Sequence, residues 1–172
     1  MREYGTRQAL VANAPYVAMV LVGVATILTG FRASPLAFAG AAAYVAYGLA
    51  SPIWIMVFVC PHCAHYATMA CPCGYGIIAA RLVHKGDHDR FAEKFKRHIP
   101  VIVPLWIIPV VCGGWVLWHK FSWPLLGLMC LFAVNAYVVL PLASTRHSCR
   151  ECPQRSSCPW MASDRERREP IA

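Results

Sequence analysis

Four stretches that contain no Asp, Glu, Lys or Arg constrain this chain more than any other feature: residues 9–31, 35–59, 101–118 and 124–143. As a helix rising 1.5 Å per residue, a stretch of about 17–25 residues crosses a hydrocarbon core roughly 30 Å thick. Within lipid a backbone can satisfy its own N–H and C=O groups only as a helix or a closed barrel, and continuous apolar runs select the helix. The sequence therefore predicts an all-α integral membrane protein with four transmembrane helices. Its composition agrees: 14% of residues are charged, where soluble domains carry about 25%, and the mean hydropathy is +0.48. No small-x-small cleavage site follows Gly30-Phe31-Arg32 and a second span begins at once, so the first stretch reads as a span rather than a signal peptide.

Local signals refine the spans. Ser34 is placed to cap the second helix, with Pro35 at its first position. Pro52 cannot donate to the carbonyl of Gly48, which predicts a kink. The alanines at 39 and 43, and at 42, 46 and 50, form small-residue stripes that would let a neighbouring helix approach closely. Pro104, Pro109 and Gly113-Gly114 predict an irregular third helix. Asp87 to His98 predicts a short amphipathic helix, with Phe91 and Phe95 on one face and a Glu93–Arg97 pair on another, lying on the lipid headgroups. Residues 1–143 thus form a four-helix transmembrane domain with a loop at 60–100, and residues 144–172 form a Cys-rich basic tail.

Orientation follows from the cations. Arg2 and Arg7 precede the first span, Arg81, Lys85, Arg90, Lys94, Lys96 and Arg97 lie in the central loop, and six arginines lie in the tail. The other side has only Arg32 and Lys120. This imbalance predicts a multi-pass protein of the cytoplasmic (inner) membrane, with the central loop and both termini cytoplasmic. The net charge of +8 is accounted for by topology and anionic headgroups, so the lipid bilayer is the expected partner and no nucleic acid is.

Nine cysteines remain to be explained. Cys112 and Cys130 fall within spans, where a thiol packs as a small apolar group. Cys60, Cys63, Cys71 and Cys73 follow the second span, and Cys149, Cys152 and Cys158 follow the fourth, so both groups emerge on the same side. Cytoplasmic thiols stay reduced, which favours metal binding over disulfides. Two C-x2-C steps occur, Cys60/Cys63 and Cys149/Cys152, and each can place two sulfurs on one metal. Four of the seven cysteines precede proline, which fixes the local backbone, and Gly74 and Gly76 permit tight turns. His62, His65 and His147 are candidate nitrogen ligands. Cys71-Pro-Cys73 is similar to the ion-path motif of heavy-metal-transporting P-type ATPases over three residues, but the chain has no room for the nucleotide-binding and phosphorylation domains of that family.

Such a thiol set suits an iron–sulfur cluster, with zinc as the alternative. The predicted function is a membrane-anchored redox subunit passing electrons between a soluble partner and a quinone or a neighbouring membrane subunit. Two further readings use the same ligands: a protein handling or sensing copper, zinc or mercury, and a zinc-stapled membrane scaffold. No nucleotide fingerprint, nucleophile triad or paired carboxylates point to catalysis by the chain alone.

Overall fold

Seven α-helices follow one another in the computed structural model, which describes residues 4–145, 154, 158 and 159. They are α1 (Thr6–Gly30), α2 (Pro35–Phe58), α3 (Tyr75–Leu82), α4 (Phe91–His98), α5 (Val103–His119), α6 (Trp123–Val134) and α7 (Leu140–Ala143). A π-helical segment, Asn135–Val139, joins α6 to α7. No strand occurs among the described residues. Four helical runs are long and apolar enough to cross a membrane, Thr6–Gly30, Pro35–His62, His88–His119 and Trp123–Ala143, so the chain is a multi-pass membrane protein. The chain divides into two compact units, one of residues 14–52 and 101–141, the other of the remaining described residues.

The first unit is held by close packing and buried hydrogen bonds, because lipid removes most of the hydrophobic force between helices. Its core gathers Met19 and Ile27 of α1, Ala41 and Tyr44 of α2, Leu105 of α5 and Phe132 of α6. Two prolines leave carbonyls without their helical donors, and tyrosines supply the missing bonds. Pro52 cannot serve the carbonyl of Gly48, and the Tyr16 hydroxyl donates to it at 2.7 Å. Pro109 cannot serve Leu105, and the Tyr44 hydroxyl donates to that carbonyl at 2.8 Å. Tyr44 reaches it by crossing Gly23, where an added Cβ would lie 2.6 Å from the hydroxyl. Tyr44→Phe should therefore lower stability by about 1–2 kcal/mol, seen as an earlier unfolding midpoint in mild detergent. Tyr137→Phe, whose exposed hydroxyl is 3.5 Å from the Trp106 carbonyl, should have a much smaller effect.

One local expectation is met. Ser34 Oγ accepts from the Ala37 N–H at 3.2 Å, capping α2. Asn135 Nδ2 donates across to the Pro15 carbonyl at 2.9 Å, a bond between helices.

Others are corrected. The third span is a continuous helix, α5, running through both Pro109 and Gly113. The irregularity sits in the fourth, where the Leu140 N–H bonds back to the Asn135 carbonyl in a widened turn. Pro141 explains it: its ring crowds the preceding α-turn and it has no N–H, so widening relieves the clash. Ala39, Ala42, Ala43, Ala46 and Ala50 are exposed, and α2 packs instead through Ala37, Ala41, Tyr44, Gly48 and Ser51. The reason is that Tyr44 and Gly48 carry the polar and close-approach contacts, which orient the helix more strongly than a row of methyl groups.

In the second unit, Phe91 and Phe95 of α4 lie on one face, with ring centroids 5.7 Å apart. Phe91 is buried with Val59 and Cys158, and Ile55, Cys63 and Phe95 pack against them. The apolar face of α4 is therefore engaged by protein. Glu93 pairs with Arg90 at 3.6 Å rather than with Arg97, and a pair this exposed contributes little to stability.

Candidate thiol centre

Two turns of the same construction carry the first four cysteines. In each, a Cys-Pro step sets the chain direction, because the proline ring fixes its own φ at the second turn position. In Cys60-Pro61-His62-Cys63 the Cys63 N–H returns to the Cys60 carbonyl at 3.0 Å. In Cys71-Pro72-Cys73-Gly74 the Gly74 N–H returns to the Cys71 carbonyl, also at 3.0 Å. Gly74 takes φ +74°, a left-handed conformation that its lack of a Cβ allows, and it caps α3.

The intervening loop brings the two turns together. The Ala67 N–H donates to the Gly76 carbonyl at 3.1 Å, and α3 packs against the Cys60–His62 turn. Gly76 is in the tightest position of all: an added Cβ would stand 2.2 Å from the His65 carbonyl oxygen and 3.3 Å from Cys71 Cβ. Both turns, with Cys60 and Cys63 on one and Cys71 and Cys73 on the other, therefore lie beside α3. No disulfide joins the described cysteines. Among the described residues, no three His, Cys, Asp or Glu side chains are arranged as a ready metal-binding group.

The start of α1 and the tail both reach this centre. Asn13 Nδ2 donates to the Cys73 carbonyl at 3.1 Å, and the Tyr4 N–H donates to Met69 at 2.9 Å. Gln154 brackets the first turn, accepting from the Ala64 N–H at 2.8 Å and donating to the His62 carbonyl at 3.3 Å. Cys158 is buried in the same apolar cluster against which Cys63 packs. Cys149, Cys152 and His147 lie outside the described residues. Cys112 is half-buried in α5 and Cys130 is exposed on α6, both in the other unit.

The two described histidine candidates differ. His62 Nδ1 is 2.7 Å from the Asp87 carbonyl, which can only accept, so Nδ1 is the donor in this bond. Gly86 packs against this ring, leaving no room for a Cβ. His65 is 8% exposed, and its Nδ1 has no hydrogen-bond partner among the described residues. Burial pushes its pKa below the usual histidine value, so its imidazole is neutral.

Sequence reasoning missed Asn13 and Gln154, which bond the backbone at Cys73, His62 and Ala64, and Asp87, whose carbonyl holds the His62 ring. Asn13 carried a readable signal, a lone amide near the start of an apolar run. Gln154 and Asp87 carried none, because their contacts depend on chain segments far apart in sequence.

Fold and site together define a multi-pass α-helical membrane protein with a thiol-rich segment directly after its second span. Comparison with known protein families, with curated proteins and with solved structures returned no match.

Proposed function

We propose that this chain is a membrane-bound redox subunit whose thiol centre holds an iron–sulfur cluster on Cys60, Cys63, Cys71 and Cys73. The observation that carries the reading is the meeting of two Cys-Pro turns beside α3, which brings four cysteines onto one loop. Metal binding would deprotonate these thiols, and a soft cationic centre would offset the charge of the thiolates so formed. Binding would have to draw the sulfurs inward, as where metal coordination and local folding are coupled. Cys149, Cys152, Cys158 and His147 are further candidate ligands contributed by the tail.

A cluster held on these thiols would supply one-electron transfer between a soluble reduced partner and a quinone in the bilayer or a neighbouring subunit. Its position fits that task, since Cys60 comes two residues after the end of α2. Purified without oxygen, the protein should contain iron and acid-labile sulfide, with broad visible absorption that dithionite bleaches. Protein with neither iron nor sulfide would refute the cluster.

A second reading, a zinc scaffold or soft-metal handling protein, is favoured by His62 and His65 in the same loop as the cysteines, because mixed nitrogen and sulfur donors suit zinc. Zinc without iron in the same sample would select it.

The charge imbalance supports a cytoplasmic centre in the inner membrane, with the cations Lys94, Lys96 and Arg97 of α4 near the headgroups. An alkaline phosphatase fusion after Lys120 should be active and one at Ala172 silent. The opposite pattern would reverse the topology.

A further inference from the structure

Fourteen of the sixteen cations follow one side of the topology, and the two exceptions, Arg32 and Lys120, line the same cleft. The cleft has a volume of about 410 Å³ and lies between the C-terminal ends of α1 and α5. Phe31, Trp115 and Val116 form its apolar wall, and Arg32, His119 and Lys120 supply its polar rim.

Three observations give the cleft a ligand of definite chemistry. First, residues 14–52 and 101–141, the unit that contains it, include no Asp or Glu, so neither cation has a carboxylate counter-ion there. The ends of α1 and α5 offset only part of the positive charge, at roughly half a charge per helix. Second, Arg32 has φ +52°, a left-handed conformation that glycine adopts freely and that a Cβ resists. The α1 terminus is a Schellman arrangement, in which the Ala33 N–H bonds the Leu28 carbonyl at 2.8 Å, and glycine is the usual residue where Arg32 stands. Ala33 shares the left-handed conformation at φ +47°, so the turn as a whole holds the Arg32 guanidinium at this end of α1. Third, Trp115, Trp118 and Trp123 are 64%, 87% and 75% exposed at this end of the helices, and exposed indoles settle at the headgroup level.

We propose that this cleft binds the phosphate of an anionic lipid. Arg32 and Lys120 meet the phosphate, and Phe31, Trp115 and Val116 meet the first methylenes of the acyl chains. A soluble phosphate shares the charge chemistry but would leave the apolar wall unused. The site is independent of the thiol centre and of any metal there.

Native mass spectrometry of the full chain released from a neutral detergent tests the site, with phosphatidylglycerol as the probe. One molecule should be retained in preference to phosphatidylcholine. The Arg32→Gly/Lys120→Gln double variant should weaken that first binding event about thirty-fold, while Arg81→Gln/Lys85→Gln leaves it unchanged. Arg32→Gly alone should weaken binding without lowering Tm, since glycine relieves the left-handed strain, and this separates a lost ligand contact from a damaged fold. Equal retention by the Arg32/Lys120 double variant and the native chain would overturn the proposal, as would equal retention of phosphatidylcholine. Displacement of the lipid by millimolar inorganic phosphate would overturn the lipid assignment in favour of a soluble anion.

Discussion

Cys60→Ser/Cys63→Ser, purified without oxygen, should lose most of its bound iron and nearly all of its visible absorption, whereas Cys112→Ser/Cys130→Ser should keep both. A neutral hydroxyl is a far poorer soft-metal ligand than a thiolate, so the first pair removes two of four sulfurs from one centre. Cys112 and Cys130 belong to the other unit, and their replacement leaves the Cys-Pro turns untouched. Elemental analysis and absorption before and after dithionite give the readout. Full metal content in the Cys60/Cys63 variant would remove that turn from the centre. The single change Asn13→Ala, which takes away the donor to the Cys73 carbonyl, should cause a smaller loss than either cysteine of the pair.

Gly76→Ala should be the most damaging single substitution in the loop, destabilising the second unit by about 3 kcal/mol. The new methyl group would stand 2.2 Å from the His65 carbonyl oxygen and 3.2 Å from its carbon, and neither is the end of a flexible side chain. Relief requires the backbones to separate, which breaks the bond from the Ala67 N–H to the Gly76 carbonyl and moves α3 away from Cys60. The variant should therefore unfold earlier in denaturant and also hold less metal. Gly127→Ala is the matched control, because a Cβ there meets nothing within 4 Å. If the two variants unfold alike, the close approach at Gly76 does not support the centre.

The membrane-spanning architecture was legible because it depends on local composition. A run of apolar residues long enough to cross lipid must be a helix, whatever it packs against, and four such runs appear where hydropathy placed them. Ser34 as a cap and the paired phenylalanines of α4 were equally readable, since both rest on contacts within a few residues. The candidate ligands were also recognisable by residue type and spacing alone.

What the sequence could not show is which polar group meets which. Pro52 and Pro109 announce unpaired carbonyls, but only the packing of α1 on α2, and of α2 on α5, decides that Tyr16 and Tyr44 satisfy them. The alanine stripes misled for the same reason: in lipid, a few hydrogen bonds and close glycine contacts outweigh a row of methyl groups in setting a helix's rotation. The identity of the helices, their number and the thiol inventory were thus determined by sequence, because each follows from short-range chemistry. The tyrosine bonds across helices, the meeting of the two Cys-Pro turns beside α3, and the placing of Arg32 and Lys120 on one cleft were decided by tertiary structure, because each joins residues whose separation along the chain carries no periodic signal.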